Sequence, residues 1–166
     1  GVAVLGLRLS LGEVAILGWP AVMAVCAAVF MTLAFGVLWA RVLGCGRDLG
    51  LLTGGAVGIC GASAAMAISA ALPESETKQR YTLFTVIGVT TFSTAAMVFY
   101  PIVGDLLQFT STEMGFFIGA TIHDVAQVVG AGYSVSPETG DLATFVKLLR
   151  VAMLVPIVMA IALVCR

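Results

Sequence analysis

The chain has 166 residues, 60% of them hydrophobic and only 10% charged, with a formal net charge of −1 and a mean hydropathy of +1.11. A soluble globular chain is roughly a quarter charged and at most about half apolar, so a water-soluble domain is excluded. The absence of a basic tail or polybasic run excludes a nucleic-acid partner. Lipid is the solvent that suits this composition, and the expected fold is all-α: a polytopic membrane bundle.

Val2 to Leu7 read as the end of a span, an N-terminal remnant. The chain begins with Gly1 rather than Met, and no signal peptide with a basic start and a cleavage site is visible. Residues 1–166 are therefore expected to be a single transmembrane domain, the middle part of a longer protein or a processed chain. Val14 to Ala40 is long enough to span, with Pro20 near its start and Trp19 and Trp39 near its ends, where interfacial aromatics sit. Arg41 to Asp48 is a short polar connection, and Leu49 to Leu72 is a second, glycine-rich span. Pro73 to Arg80 is the clearest polar loop. Tyr81 to Tyr100 is a third span, closed by Pro101, and Asp105 to Glu113 is a second loop. Met114 to Tyr133 is a fourth segment with polar residues in its middle. Ser134 to Asp141, with Pro137 and Gly140, reads as a turn, and Phe145 to Cys165 is the last span. If every segment spans, Arg41 and Arg47 face one side and Arg8, Lys78 and Arg80 the other, so the positive-inside count is close to a tie.

Two segments depart from a plain lipid-facing helix. In Gly54 to Ala65, several glycines make local unwinding plausible, since each costs a helix about 1 kcal/mol relative to alanine. Unwound backbone at membrane depth survives only against protein or a water-filled cavity, where freed amides and carbonyls bind ions. The competing reading is close helix packing through small residues. In Phe117 to Val128, Asp124 at a helix centre costs about 3 kcal/mol on insertion scales, so it needs a cavity or a partner. His123 and Gln127 are four apart and share a face if the helix is continuous, while Asp124 and Gln127 are three apart. Histidine titrates near neutral pH, which admits a coupling proton. The competing reading is that Thr121 or Asp124 caps a half-helix and His123 is a buried hydrogen-bonding residue. Lys147 and Arg150, three apart, either hold an anion or snorkel to the interface from the start of the last span. Thr90, Thr91, Ser93 and Thr94 either line a polar path or bond back to their own helix. If both unusual segments span, the one complete helix between them makes them run the same way, so they cannot be the two members of an inverted-repeat pair. No metal site or cofactor is expected: Cys26, Cys45, Cys60 and Cys165 form no C-x-x-C pair, the chain has one histidine, and the cysteines read as small buried apolar residues.

These motifs carry a resemblance. Gly58-Ile59-Cys60-Gly61-Ala62-Ser63-Ala64, then Thr121-Ile122-His123-Asp124-Val125-Ala126-Gln127-Val128-Val129 with Ala131-Gly132, then Lys147-Leu148-Leu149-Arg150-Val151 with Leu154 and Pro156, preceded by Gly6-Leu7-Arg8-Leu9, resemble in order and spacing the YeiH-like sulfate exporter family. That family looks related to the cation:proton antiporter and bile-acid symporter group. The resemblance implies missing spans on both sides, inverted repeats with crossed interrupted helices, and a bacterial inner-membrane location.

The resulting reading is a secondary transporter, not an enzyme, that exports a small anion such as sulfate and is coupled to a proton or sodium ion. Its substrate and ion site comprises Gly58, Cys60, Gly61 and Ser63, which supply backbone donors, Thr121, His123, Asp124 and Gln127 as the polar centre, and Lys147 and Arg150 as charge balance. Partners are membrane lipid and the anion, with a homodimer left open. The alternatives are a cation:proton antiporter using Asp124, a membrane-embedded enzyme, and a structural membrane subunit.

Overall fold

The computed structural model describes the backbone of residues 11–164 and the side chains of 19–20 and 22–164. The Gly6–Leu9 element, Arg8 and Cys165 lie outside the described residues. Eight helices occur among these residues: α1 Leu11–Val42, α2 Arg47–Gly58, α3 Ala62–Ala71, α4 Glu76–Leu106, α5 Ser111–Thr121, α6 Val125–Val135, α7 Pro137–Ala152 and α8 Leu154–Val164. The bundle is all-α, as composition requires. Val22–Val42, Glu76–Leu106 and Pro137–Val164 are long and apolar enough to cross a membrane. Trp19 and Trp39, both exposed, lie twenty residues apart on α1, about 30 Å along its axis, which matches the hydrocarbon thickness.

The two remaining segments do not span. Each folds back on itself. Gly55 of α2 lies against the Ile68 side chain of α3, a contact that a straight interrupted helix would separate by about 20 Å. α2 runs antiparallel to α1, because a Cβ on Gly50 would sit 2.7 Å from Val37 Cα, one on Gly54 3.1 Å from Leu33 Cα and one on Gly58 3.4 Å from the Val29 carbonyl. α3 then returns antiparallel to α4: the Thr82 hydroxyl donates to Ser69 at 2.8 Å and Lys78 Nζ to the Leu72 carbonyl at 3.3 Å. The second hairpin behaves in the same way. Gly119 of α5 and Gly132 of α6 both lie against Ala143 of α7, and the Thr139 hydroxyl at the start of α7 donates to the Ser111 carbonyl at the start of α5.

The 31-residue α4 serves as a ruler. The first hairpin leaves and returns at its N-terminal end, near Lys78. The second leaves and returns at its C-terminal end, where Met114 lies against Gly104. Both apexes lie near its middle, beside Ser93 and Thr94. α7 and α8 cross back, and Ile157 and Ile161 share a core with Leu52, Ile68 and Leu72.

About five membrane segments are present as expected, three long enough to cross and two folded back as hairpins, so the condition under which the two unusual segments would run the same way is not met. A glycine-rich break that bends through a hairpin keeps its free backbone groups inside the protein, whereas a straight interruption would expose them to lipid. The hairpins come from opposite ends of α4. A span followed by a hairpin occurs twice, upside down, with elements of 32, 12 and 10 residues and then 31, 11 and 11.

Three boundaries also move. α4 runs through Pro101 to Leu106, because the apolar run continues past the proline and a lost bond is tolerated in a membrane helix. The loop expected from Asp105 to Glu113 shrinks to 107–110. The expected turn from Ser134 to Asp141 reduces to Ser136, whose hydroxyl accepts the Thr139 amide at 3.0 Å and caps α7 with Pro137 in its first turn. The last span therefore starts at Pro137, which puts Lys147 and Arg150 deep inside it.

Candidate functional site

The two apexes meet near the middle of the bundle. The first is Ile59-Cys60-Gly61. Gly61 has φ +68° and ψ −130°, a conformation in which only glycine is comfortable. Its amide donates to the Ala56 carbonyl at 2.8 Å. The buried Cys60 accepts from the Ser63 hydroxyl through both its carbonyl and its sulfur, each at 2.9 Å. The second apex is Ile122-His123-Asp124. Ile122 and Asp124 are extended, and the Asp124 carboxylate accepts the Ala126 amide at 2.8 Å, capping α6. A Cβ on Gly61 would lie 3.6 Å from the His123 carbonyl oxygen and 3.8 Å from the Asp124 amide, so the chains touch where the helices break.

The breaks sort the half-helix ends by charge. α2 and α5 end at the apexes and present C-terminal carbonyls. α3 and α6 begin there and present amides. Each terminus carries roughly half an elementary charge. The carbonyls are met by two cations from α7. Lys147, fully buried, donates to the Ile59 carbonyl at 2.8 Å and the Ile122 carbonyl at 2.9 Å. Arg150, also buried, donates through Nε to Gly58 at 2.9 Å, through Nη2 to Val57 at 2.7 Å and Gly58 at 2.6 Å, and through Nη1 to Ala120. One helix thus binds the C-terminal ends of α2 and α5, the first arm of each hairpin. Hydrogen bonds to a charged group are worth about 1.5–3 kcal/mol each, so the six carbonyl contacts offset much of the cost of burying the two cations. Neither cation has a carboxylate partner; among the described residues the ion pair is Lys78–Glu74, at 2.6 Å.

α4 supplies the remaining contacts. The buried Ser93 hydroxyl accepts the Asp124 amide at 3.1 Å, and Thr94 accepts from Gln127 Nε2 at 2.8 Å. His123 Nδ1 and Gln127 Oε1 are buried atoms with no hydrogen-bond partner among the described residues.

The structure gathers most of the residues expected at a site: Gly58, Cys60, Gly61, Ser63, His123, Asp124, Gln127, Lys147 and Arg150. Thr121 instead bonds back to the Phe117 carbonyl, at 2.5 Å. His123 and Gln127 do not share a helix face, because the break falls between them. Lys147 and Arg150 do not snorkel. The hydroxyl group divides: Thr91 bonds back to Ile87 and Thr94 to Thr90, while Ser93 and Thr94 also hold the second apex. Side-chain reading missed the carbonyls of Val57, Ile59, Ala120 and Ile122. Their only sequence signal is a pair of apolar-flanked cations three residues apart. No group of three or more metal-ligating side chains occurs among the described residues.

A family model described as "Conserved hypothetical protein 698" matches residues 1–166. The chain is similar to a UPF0324 membrane protein of Chlorobaculum tepidum, 53% identical over 99% of this chain and 46% of the relative. It is similar to the UPF0324 membrane protein TauZ of Paracoccus pantotrophus, 54% identical over 100% of this chain and 49% of the relative. It is also 54% identical to a UPF0324 membrane protein of Rhizobium meliloti, over 100% of this chain and 48% of the relative. The chain spans about half the length of these curated relatives. No solved structure matches it.

Proposed function

We propose a function from two premises: the chain belongs to the conserved hypothetical protein 698 family, and its interior brings two re-entrant apexes together beside two buried cations. On this reading the protein is a secondary transporter of a small anion such as sulfate, coupled to a proton, and it sits in a bacterial inner membrane. It performs no covalent chemistry.

The observation that carries the reading is the charge balance at the apexes. Lys147 and Arg150 bring two positive charges to membrane depth, and Asp124 is the one carboxylate nearby. The other acidic side chains among those described lie toward the helix ends. An unbalanced positive charge in a low-dielectric interior favours an anion. The cations themselves are committed to carbonyls, so the anion would meet the amide ends of α3 and α6, where Gly61 lies against the His123–Asp124 break. Asp124 opposes an anion there unless it is protonated, which gives a physical basis for proton coupling. Its position also favours a second reading, a cation:proton antiporter with Asp124 as the ion-binding carboxylate.

The test is flux in proteoliposomes holding the full-length protein. Sulfate uptake should depend on pH, and Asp124→Asn should abolish that dependence. His123→Ala should lower uptake. Unchanged flux and pH profile in both variants would defeat the proposed centre. Flux driven by a sodium or proton gradient without any anion would select the antiporter.

A further inference from the structure

The hairpin topology sorts the charged residues in a way that a five-span reading hides. The C-terminal end of α1, both ends of the α2–α3 hairpin and the start of α4 share one face of the bundle. This first face carries Arg41, Arg47, Lys78 and Arg80, with Asp48, Glu74 and Glu76. The C-terminal end of α4, both ends of the α5–α6 hairpin and the start of α7 share the other. This second face carries Asp105, Glu113, Glu138 and Asp141 and, among the described residues, no lysine or arginine. Arg8 lies outside the described residues.

Spanning segments would have put Arg41 and Arg47 opposite Lys78 and Arg80. The folded-back hairpin instead places all four together. Cytoplasmic loops carry the excess of lysine and arginine, and acidic residues contribute little to orientation. The loops concerned are short, 43–46 and 72–75 on the first face and 107–110 on the second, which is the regime in which the rule applies.

We infer that the first face is cytoplasmic, so that the α2–α3 hairpin enters the membrane from the cytoplasm and the α5–α6 hairpin enters from the opposite side. The orientation itself needs only the fold and the charges. Its functional consequence rests on the transport reading above: a solute leaving the cytoplasm passes the Cys60–Gly61 apex first and the His123–Asp124 apex second. The two hairpins are then the inner and outer barriers of one site, held at their inner ends by Lys147 and Arg150.

Single cysteines tested with a membrane-impermeant maleimide decide the matter, in the full-length protein with its native cysteines replaced by alanine or serine. Leu43→Cys and Glu74→Cys report the first face; Thr112→Cys and Glu138→Cys report the second, and all four positions are exposed. In right-side-out vesicles, Thr112→Cys and Glu138→Cys should label at least ten-fold faster than Leu43→Cys and Glu74→Cys, and inside-out vesicles should reverse the order. The reverse pattern in right-side-out vesicles overturns the orientation. Leu43→Cys and Glu74→Cys on opposite sides overturns the first hairpin. Complete labelling in detergent shows that each thiol can react, and monodisperse elution shows that each variant is folded. None of these outcomes depends on flux, so failure here is separate from failure of the transport reading.

Discussion

Gly61→Ala isolates the backbone strain at the first apex. The space is adequate, since the added methyl would lie 3.6 Å from its nearest neighbour, the His123 carbonyl oxygen, which is ordinary van der Waals contact. The conformation is not, because φ +68° with ψ −130° is a region that alanine avoids, at a cost of about 1–3 kcal/mol. Gly58→Ala is the matched control three residues earlier. Gly58 closes α2, its methyl would meet the Val29 carbonyl at 3.4 Å, and its φ is not positive. There alanine should be neutral or stabilise by about 0.5–1 kcal/mol. The two variants should therefore differ by about 1–4 kcal/mol, with Gly61→Ala the less stable. Reversible unfolding in mixed micelles, titrated with a denaturing detergent and followed by circular dichroism, measures the difference. Equal stabilities would mean that Gly61 is not held at positive φ, and the turn at the first apex would fail with it.

Lys147→Met keeps the length of the side chain and removes its charge. The Ile59 and Ile122 carbonyls then lose their partner, at about 2–6 kcal/mol together, while release of a buried ammonium returns part of that. Anion flux should fall at least ten-fold with a smaller change in unfolding midpoint, and unchanged flux in proteoliposomes would count against the pinning role. At the second face, Glu113 accepts from the Thr110 amide at 2.9 Å and the Thr110 hydroxyl at 2.8 Å, and these bonds hold its carboxyl below the usual glutamate range. A depressed folded-state pKa stabilises above the unfolded value and is lost as pH falls through the folded one. The stability advantage of the wild type over Glu113→Ala, measured by thermal unfolding, should therefore shrink as the pH drops below the ordinary value of 4.5. An advantage that grows on acidification would refute the capping box at α5.

Composition and span length sufficed to read the lipid-facing part of the molecule: three apolar helices, two tryptophans near the ends of the first, and polar connections from Arg41 to Asp48 and from Pro73 to Arg80. Motif chemistry pointed to the two segments where the helices break, because an aspartate, a histidine and a run of glycines at membrane depth each need an internal reason. The path of the chain between them was not legible. Hydropathy counts apolar residues and is blind to direction, so Leu49 to Leu72 scores as one span whether it crosses or turns back at Gly61. The decision lies in pairs distant in sequence, Gly55 with Ile68 and Gly119 with Ala143, which no local pattern encodes. The same blindness hid the role of Lys147 and Arg150. Their partners are backbone carbonyls of residues up to 93 positions away, which become acceptors only because the helices stop there. Once the hairpins fold back, the described basic residues near the loops gather on one face and the paired cations fall on the two broken ends. The apparent tie in positive charge and the apparently misplaced basic residues thus have a common cause, the assumption that every apolar segment crosses.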